Sequence, residues 1–457
     1  MKQFLFLIAI LAIAIKTMAI FLGGPIPLHR DSLGYWELST LVLQGDFLML
    51  DAPIAYRTPG YPWFLAILRL FGGNHSMWLI AVVQSVLYVG SVWVASNIAQ
   101  KITKLPSSRT ITAICLLPAI SAIQYTNAVL SETIFTLTLL VHLSSVLSYS
   151  QKPSNGKAIW SATTLAILIL IKPIAVLLWI AHVILLLYYL IRRSRSPVFQ
   201  AFRFYQKSHL TFSLLIVICL VGPWVMRNHL LFGRPSLTEF VGRNLWIVTF
   251  QDGSGSSLPF SPTPATVVVQ QRMQAPSLGS ISRSTWVVSN QLVRSGLNDA
   301  QTDQLMKQVA IDSISKNRLD FLKKMIRRCV NFWRCPHTDP LKQGGYPREF
   351  SPQYSWNIPL SAIEWLLSHR FSQSVFGNTL LTGCVLLSLL ILLRNPPSRP
   401  SALWLSLIFA YFSIITGVFE IPDYRYRLII EPLAATSIGS AISTVLSKRE
   451  LIASTAD

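Results

Sequence analysis

Ionisable side chains beside long apolar runs are costly to place and tend to have a use there. In this chain they are Asp31, Arg57, Glu132, Lys172, Arg227, Glu420, Asp423, Arg425, Arg427 and Glu431. Two chemistries follow from these types. A carboxylate can take a proton from an attacking nucleophile. A guanidinium, planar with a fork of donors, suits a phosphate or a carboxylate partner. Most of the set also has a plainer reading. Asp31 opens DSLGYWELSTLVLQG and could cap the helix that follows. Arg57 could be a snorkelling interfacial anchor. Glu132 after Ser131 suits the positive end of a helix dipole, and Lys172-Pro173 and Arg227 stand where span-end anchors commonly stand. EIPDYRYRLIIEPL resists that treatment, because Glu420, Asp423, Arg425, Arg427 and Glu431 exceed what anchoring needs.

Other site chemistries lack their patterns. There is no G-x-x-x-x-G-K-[ST] loop, no H-E-x-x-H and no Rossmann glycine pattern. The 8 His residues are scattered and the 5 Cys residues show no zinc spacing. Metal binding by His29, Asp31 or Glu132 has no supporting spacing, so neither a metal nor another cofactor is expected. Cys329 and Cys335 could pair only if the helix carrying them ends near Pro336.

The elements that must hold these residues are membrane helices. Of 457 residues, 52% are apolar and 13% charged. That is roughly half the charge of a soluble protein, too little to cover a surface this large. Disorder, collagen and a disulfide scaffold are excluded by the same figures. A run of roughly 20 apolar residues spans a bilayer as a helix. Such runs occur at 3–23, 78–99, 111–127, 133–148, 159–171, 174–191, 212–226, 375–393, 403–419 and 428–445. The expected fold is therefore an all-α polytopic membrane protein with about ten transmembrane helices. Its first run reads as a retained signal anchor interrupted by Lys16. Residues 1–227 form the N-terminal transmembrane region, with a first outer loop at 24–77. Residues 228–374 form a long outer loop region, and 375–457 carry the C-terminal helices. Within the long loop, SGSSLPFSPTPAT reads as a mobile stretch. The segment DQLMKQVAIDSISKNRLDFLKKMIRRCVNFW reads as a basic amphipathic helix on the outer membrane surface.

Lys and Arg in short loops set the orientation. With both termini cytoplasmic, the inner segments hold Lys2, Lys101, Lys104, Arg109, Lys152, Lys157, Arg192, Arg193, Arg394, Arg399, Lys448 and Arg449, among others, while their acids are only Glu450 and Asp457. Much of the net charge of +20 is thus an orientation signal, and nucleic acid is not needed to explain it. The ionisable set then lies together at the outer interface, which points to a site there.

Five motifs, in order, resemble one membrane enzyme family. They are Asp31 after the first span; R-x-P-G-Y-P-x-F-L (Arg57, Pro59, Gly60, Tyr61, Pro62, Phe64, Leu65); L-S-E-x-x-F (Leu130, Ser131, Glu132, Phe135); P-W-x-x-R-N…F-G (Pro223, Trp224, Arg227, Asn228, Phe232, Gly233); and R-Y-R-L…E-P (Arg425, Tyr426, Arg427, Leu428, Glu431, Pro432). Together they resemble the GT-C membrane glycosyltransferases, in the branch of bacterial relatives of protein O-mannosyltransferase and the lipid A aminoarabinose transferase. Ser32 follows Asp31 where some eukaryotic relatives carry an acidic pair. The resemblance implies a sugar donor on polyprenyl phosphate and Asp31 as general base. Arg57, Arg227, Arg425 and Lys172 would bind the donor phosphate. Tyr35, Tyr61, Glu132 and Asp423 would bind sugar hydroxyls or orient the arginines. The expected partners are membrane lipids, the polyprenyl-phosphate-sugar and a glycan, lipid or protein acceptor, at the outer face of the cytoplasmic membrane. The competing classes are a flippase or exporter of lipid-linked glycans and a non-catalytic envelope-assembly protein. A flippase would need a polar path, and the mid-span positions are nearly free of charge.

Overall fold

The computed structural model describes residues 2–178, 197–251, 257–334 and 370–454, which are all-α, with no strand among the described residues. Helices α1 (Lys2–Phe21), α4 (Ser76–Thr103), α7 (Glu132–Gln151), α8 (Asn155–Ile171), α9 (Pro197–Phe232), α15 (Arg370–Arg394), α16 (Arg399–Phe419) and α18 (Glu431–Ser454) build the apolar bundle. Among the described residues, five helical stretches are long and apolar enough to cross a membrane: Gln3–Phe21, Gly60–Thr103, Glu132–Gln151, Thr211–Phe232 and Arg399–Phe419. Asn155–Ile171 and Leu380–Arg394 are apolar but shorter. Many large apolar side chains of the bundle face outward, among them Phe4, Leu7, Leu11, Leu214 and Leu386, as lipid-facing positions do.

One expected span lies mostly outside the described residues, and another is broken. Of the run 174–191, only the 3₁₀ turn Pro173–Leu177 and Leu178 lie within the described residues. The run 111–127 is not one helix: it divides into α5 (Pro106–Leu116), α6 (Ile120–Gln124) and a 3₁₀ turn, Tyr125–Asn127. Pro118 accounts for the break, since it lacks an N–H and clashes with the preceding turn. Interrupted backbone inside an apolar bundle must find new partners; Lys16 and Gln84 supply them, and Asn127 ties the break to the end of α1. Lys16 donates to the Leu117 carbonyl at 2.5 Å. Gln84, fully buried on α4, donates to the Thr126 and Ala128 carbonyls. Asn127 donates to the Ile20 and Gly24 carbonyls. Lys16, an oddity in the first apolar run, is thus explained by a break 101 positions away.

Two helices lie between the first two spans. α2 (Asp31–Leu43) and α3 (Gly60–Gly72) pack on each other, and α3 leads into α4. A second, smaller core belongs to α10 (Val241–Trp246), α11 (Pro264–Arg272), α12 (Thr285–Arg294) and α13 (Asp299–Lys316), around Trp246, Phe250, Val288 and Met306. A buried ion cluster holds it: Asp303 accepts from the Gly242 and Arg243 amides, and Arg243 pairs with Asp299 at 2.7 Å. Gly242 is required there, because a Cβ would meet the Asp303 carbonyl at 1.7 Å.

The predicted single amphipathic helix is two helices. The chain turns at Asn317, so α13 belongs to the small core, while α14 (Arg318–Arg334) runs along α16 and α15. Phe332 is buried, Trp333 donates to Ser413, and Arg328 donates to the Gly417 and Val248 carbonyls. One face of α14 is therefore spent on protein, which a surface helix would have given to lipid. Cys329 is a free thiol, and Cys335 lies outside the described residues.

Candidate active site

α17 (Tyr424–Leu428) is a short helix between α16 and α18, capped by Asp423, whose carboxylate accepts from the Arg425 amide at 3.0 Å. The cap aims Arg425 back across the bundle. Arg425 Nη1 donates to Asp31 Oδ2 at 2.6 Å, and its Nε donates to Glu132 Oε1. Asp31 Oδ1 accepts from Arg57 Nη2 at 3.0 Å, and Glu132 Oε1 also accepts from Lys172 at 2.6 Å. Arg57, Asp31, Arg425, Glu132 and Lys172 thus form one continuous chain of ion pairs, drawn from five separate segments. Asp31 has no capping role: it is the first residue of α2, no side chain caps that helix, and both its oxygens are held by arginines.

Local geometry makes the convergence possible. Arg30, just before Asp31, has φ 50°, a left-handed conformation that costs a residue with a Cβ roughly 1–3 kcal/mol. It turns the chain sharply into α2. Gly34 leaves room for Arg57, whose Nη2 would lie 3.1 Å from a Cβ there. Gly60 lets the P-G-Y-P block lie against the end of α8, where a Cβ would meet the Leu170 carbonyl oxygen at 2.6 Å. Thr58 completes that contact by donating to the Ile171 carbonyl, so the loop carrying Arg57 and the residue Lys172 are fixed together.

Asp31, Arg57, Lys172 and Arg425 of this cluster line a cavity of about 500 Å³, with Glu132 buried behind them. Asp31, Arg57, Lys172, Glu420, Arg425 and Tyr426 give it a polar part, and Ile174, Val176, Leu177, Ile415, Phe419 and Ile429 an apolar one. Burial works to raise the Asp31 pKa, but the Arg425 and Arg57 charges and hydrogen bonds outweigh it and hold the carboxyl below the usual range. Asp31 is therefore ionised at neutral pH. Glu420 goes the other way. Burial pushes it up to about 7, against the Tyr426 hydrogen bond and the Arg425 and Lys172 charges. Arg57, Arg425 and Lys172 therefore face Asp31, Glu132 and Glu420, and burial opposes the charge of the last.

Not every candidate joins the cluster. Tyr35 lines the cavity and lies under Arg57, whose Cζ is 4.1 Å from its ring centre. Tyr61 stands behind it, fully buried, edge-on to Tyr35 and donating to Gln84. It supports the wall without lining it. Asp423 acts through its cap on α17. Arg227 is placed elsewhere: its nitrogens donate to the Leu48, Met49 and Ile54 carbonyls and to Asn228, and the side chain is 3% exposed. It clamps the first loop to α9, with four of its five N–H donors committed there and the side chain buried away from the cavity wall. Glu420 and Tyr426 stood inside runs already singled out. Tyr56, Asn244 and Trp286, which also line the cavity, carried no motif or charge to mark them.

No protein-family model matches the chain, and no curated protein does. Solved structures do show likeness. One is the archaeal oligosaccharyltransferase AglB from Archaeoglobus fulgidus, in complex with an inhibitory peptide and a dolichol-phosphate, at 10% identity and a TM-score of 0.48 over 99% of this chain. The chain spans about half, 52%, of that protein's length. Another is ArnT from Cupriavidus metallidurans bound to undecaprenyl phosphate, at 13% identity and a TM-score of 0.39, covering 95% of this chain and 77% of that one. The apo form of the Archaeoglobus enzyme aligns with a TM-score of 0.42 at 9% identity, over 98% of this chain and 51% of that one.

Proposed function

We propose that this chain is an integral-membrane glycosyltransferase of the GT-C type. In this reading it moves a sugar from a polyprenyl-phosphate donor to an acceptor at the outer face of the cytoplasmic membrane. One observation carries the reading: Arg57, Arg425 and Lys172 gather beside Asp31 on the polar wall of a cavity whose remaining wall is largely apolar, with an aliphatic stretch from Ile174 to Leu177 and at Ile415 and Ile429. An anionic headgroup with a long hydrocarbon tail has that division of polarity.

The donor phosphate would take hydrogen bonds from Arg57 and Arg425, competing with Asp31 for the same donors. As they turn to the phosphate, Asp31 loses the partners that hold its pKa down and becomes a stronger base. An acceptor oxygen or nitrogen then attacks the anomeric carbon while its proton passes to Asp31. The bond from that carbon to the phosphate oxygen breaks, with inversion, and the polyprenyl phosphate leaves. Its added charge falls among fixed cations, which need no reorganisation as it develops. The reading asks for no metal, since Arg57, Arg425 and Lys172 do that work.

A direct test is transfer by the purified protein in lipid nanodiscs, given a radiolabelled polyprenyl-phosphate sugar and envelope extract as acceptor. Covalently labelled product is expected. Movement of label across proteoliposomes with no product formed would support the flippase or exporter class.

A further inference from the structure

Next to Arg57 the cavity wall changes character. The Tyr56 ring lies 5.7 Å from Arg57 Cζ, and Tyr56 meets Phe240 and Trp286 at ring separations of 5.9 and 5.7 Å, with 6.1 Å between the last two. The three come from the first loop, the residue before α10 and the start of α12. All line the same cavity as Asp31. Trp286 is 43% exposed despite its size, so its ring is not consumed by packing. Asn244, four residues after Phe240 and so on the same side of α10, also lines the cavity, and its side-chain oxygen is buried with no hydrogen-bond partner.

These rings are held in place. The Ala55 amide donates to Asp299 and its carbonyl accepts from the Glu239 amide, so the residue before Tyr56 is pinned through both its backbone groups. Arg243, paired to Asp299, has its Cζ 5.4 Å from the Tyr56 ring centre. A fixed aromatic surface with one unpartnered amide beside it suits a ligand with an apolar face and a hydroxylated edge. A pyranose has both: its axial C–H bonds lie against rings, and its hydroxyls bond to an amide. A hydrocarbon tail would leave Asn244 unpartnered, and burying a polar group without a partner is unfavourable.

We propose that Tyr56, Phe240, Trp286 and Asn244 form a saccharide subsite of this cavity that stacks a pyranose ring within reach of Asp31. It rests on the glycosyltransferase reading and deepens it, since a sugar there belongs either to a glycan acceptor or to the donor itself.

The test is saturation-transfer NMR on the purified protein in nanodiscs with the methyl glycosides of glucose, mannose, galactose and N-acetylglucosamine. Saturation of the ring C–H protons of at least one glycoside is expected, with at least a fivefold loss in Trp286→Ala and in Asn244→Leu. Trp286 is partly exposed, so its variant should fold, and a thermal melt verifies this. No saturation of any of the four, or undiminished signal in both folded variants, overturns the proposal. A parallel titration with a polyprenyl-phosphate sugar separates the sources: a glycoside signal that persists assigns the ring to the acceptor, and one that is displaced assigns it to the donor sugar. The readout needs no turnover, so failure of sugar transfer leaves it interpretable, and its failure leaves the transfer assay standing.

Discussion

Arg425 bridges two carboxylates from different segments, through Nη1 to Asp31 and Nε to Glu132. A lysine at that position would keep the charge and lose the fork. Arg425→Lys is therefore expected to weaken binding of polyprenyl phosphate by about tenfold or more, since a lost charge-assisted hydrogen bond is worth roughly 1.5–3 kcal/mol. Arg227→Lys should leave that binding unchanged at equal folded protein, because Arg227 is committed to carbonyls of the first loop. Isothermal titration with the two variants checks both. Glu420 makes a pH prediction. Its folded pKa is raised to about 7 by burial, with the Tyr426 hydroxyl, Arg425, Lys172 and Asp31 as its charged or polar neighbours. Between the ordinary carboxyl pKa of about 4.3 and 7, the folded state binds a proton that the unfolded state does not, so stability from this group falls as pH rises through that window. Glu420→Gln should remove that part of the decline in melting temperature between pH 5 and pH 8. An identical slope in variant and wild type would show that Glu420 titrates normally.

Two elements decide whether the site forms at all. The P-G-Y-P turn must touch the end of α8, and Gly60 permits it. Gly60→Ala should cost about 1–3 kcal/mol, the usual range for overpacking, and should also weaken donor binding because Arg57 and Lys172 would be pushed apart. A melt combined with a binding titration reads both effects. The broken third span depends on Gln84, which accepts from Tyr61 and donates to two carbonyls. Gln84→Leu should destabilise by roughly 1–3 kcal/mol for each carbonyl left without a partner, read as a lower melting temperature in detergent. This scale also shows what sequence conveys. Apolar runs and the Asp31, Arg57, Glu132, Lys172 and Arg425 set were readable because burying charge is expensive and stands out locally. The break at Pro118 was not, since an unbroken apolar run looks the same whether or not Lys16 and Gln84 are near enough to serve the open backbone. The placement of Arg227 was hidden for a related reason: a motif position shows that a guanidinium is wanted, while its partners, carbonyls of 48, 49 and 54, carry no side-chain signature.

For the whole molecule, helix directions place the cluster at one end of the bundle. Asp31, Glu132, Lys172 and Arg425 stand at the starts of α2 and α7, just past the end of α8, and in α17, ahead of α18. Lys101 and Lys157 are at the other end, bonded to Ser148 near the end of α7. The proposed orientation, taken from the positive-inside rule, puts the lysine end on the cytoplasmic side. Alkaline phosphatase fused after residue 300 should then be active, and a fluorescent protein fused at the C-terminus should fluoresce; the reverse pattern would put the cluster on the cytoplasmic side. The aromatic wall belongs to this scale as well, because Tyr56, Phe240 and Trp286 meet only when the smaller core docks on the first loop. Nothing local in the chain announces that meeting. The most direct measurement on the central assignment compares sugar transfer by wild type and Asp31→Asn, with polyprenyl-phosphate affinity and melting temperature measured on the same preparations. A fall in transfer of about 10²-fold or more, the usual range for losing a general base, is expected with the donor still bound and the protein still folded. Undiminished transfer by folded Asp31→Asn would contradict the role given to Asp31.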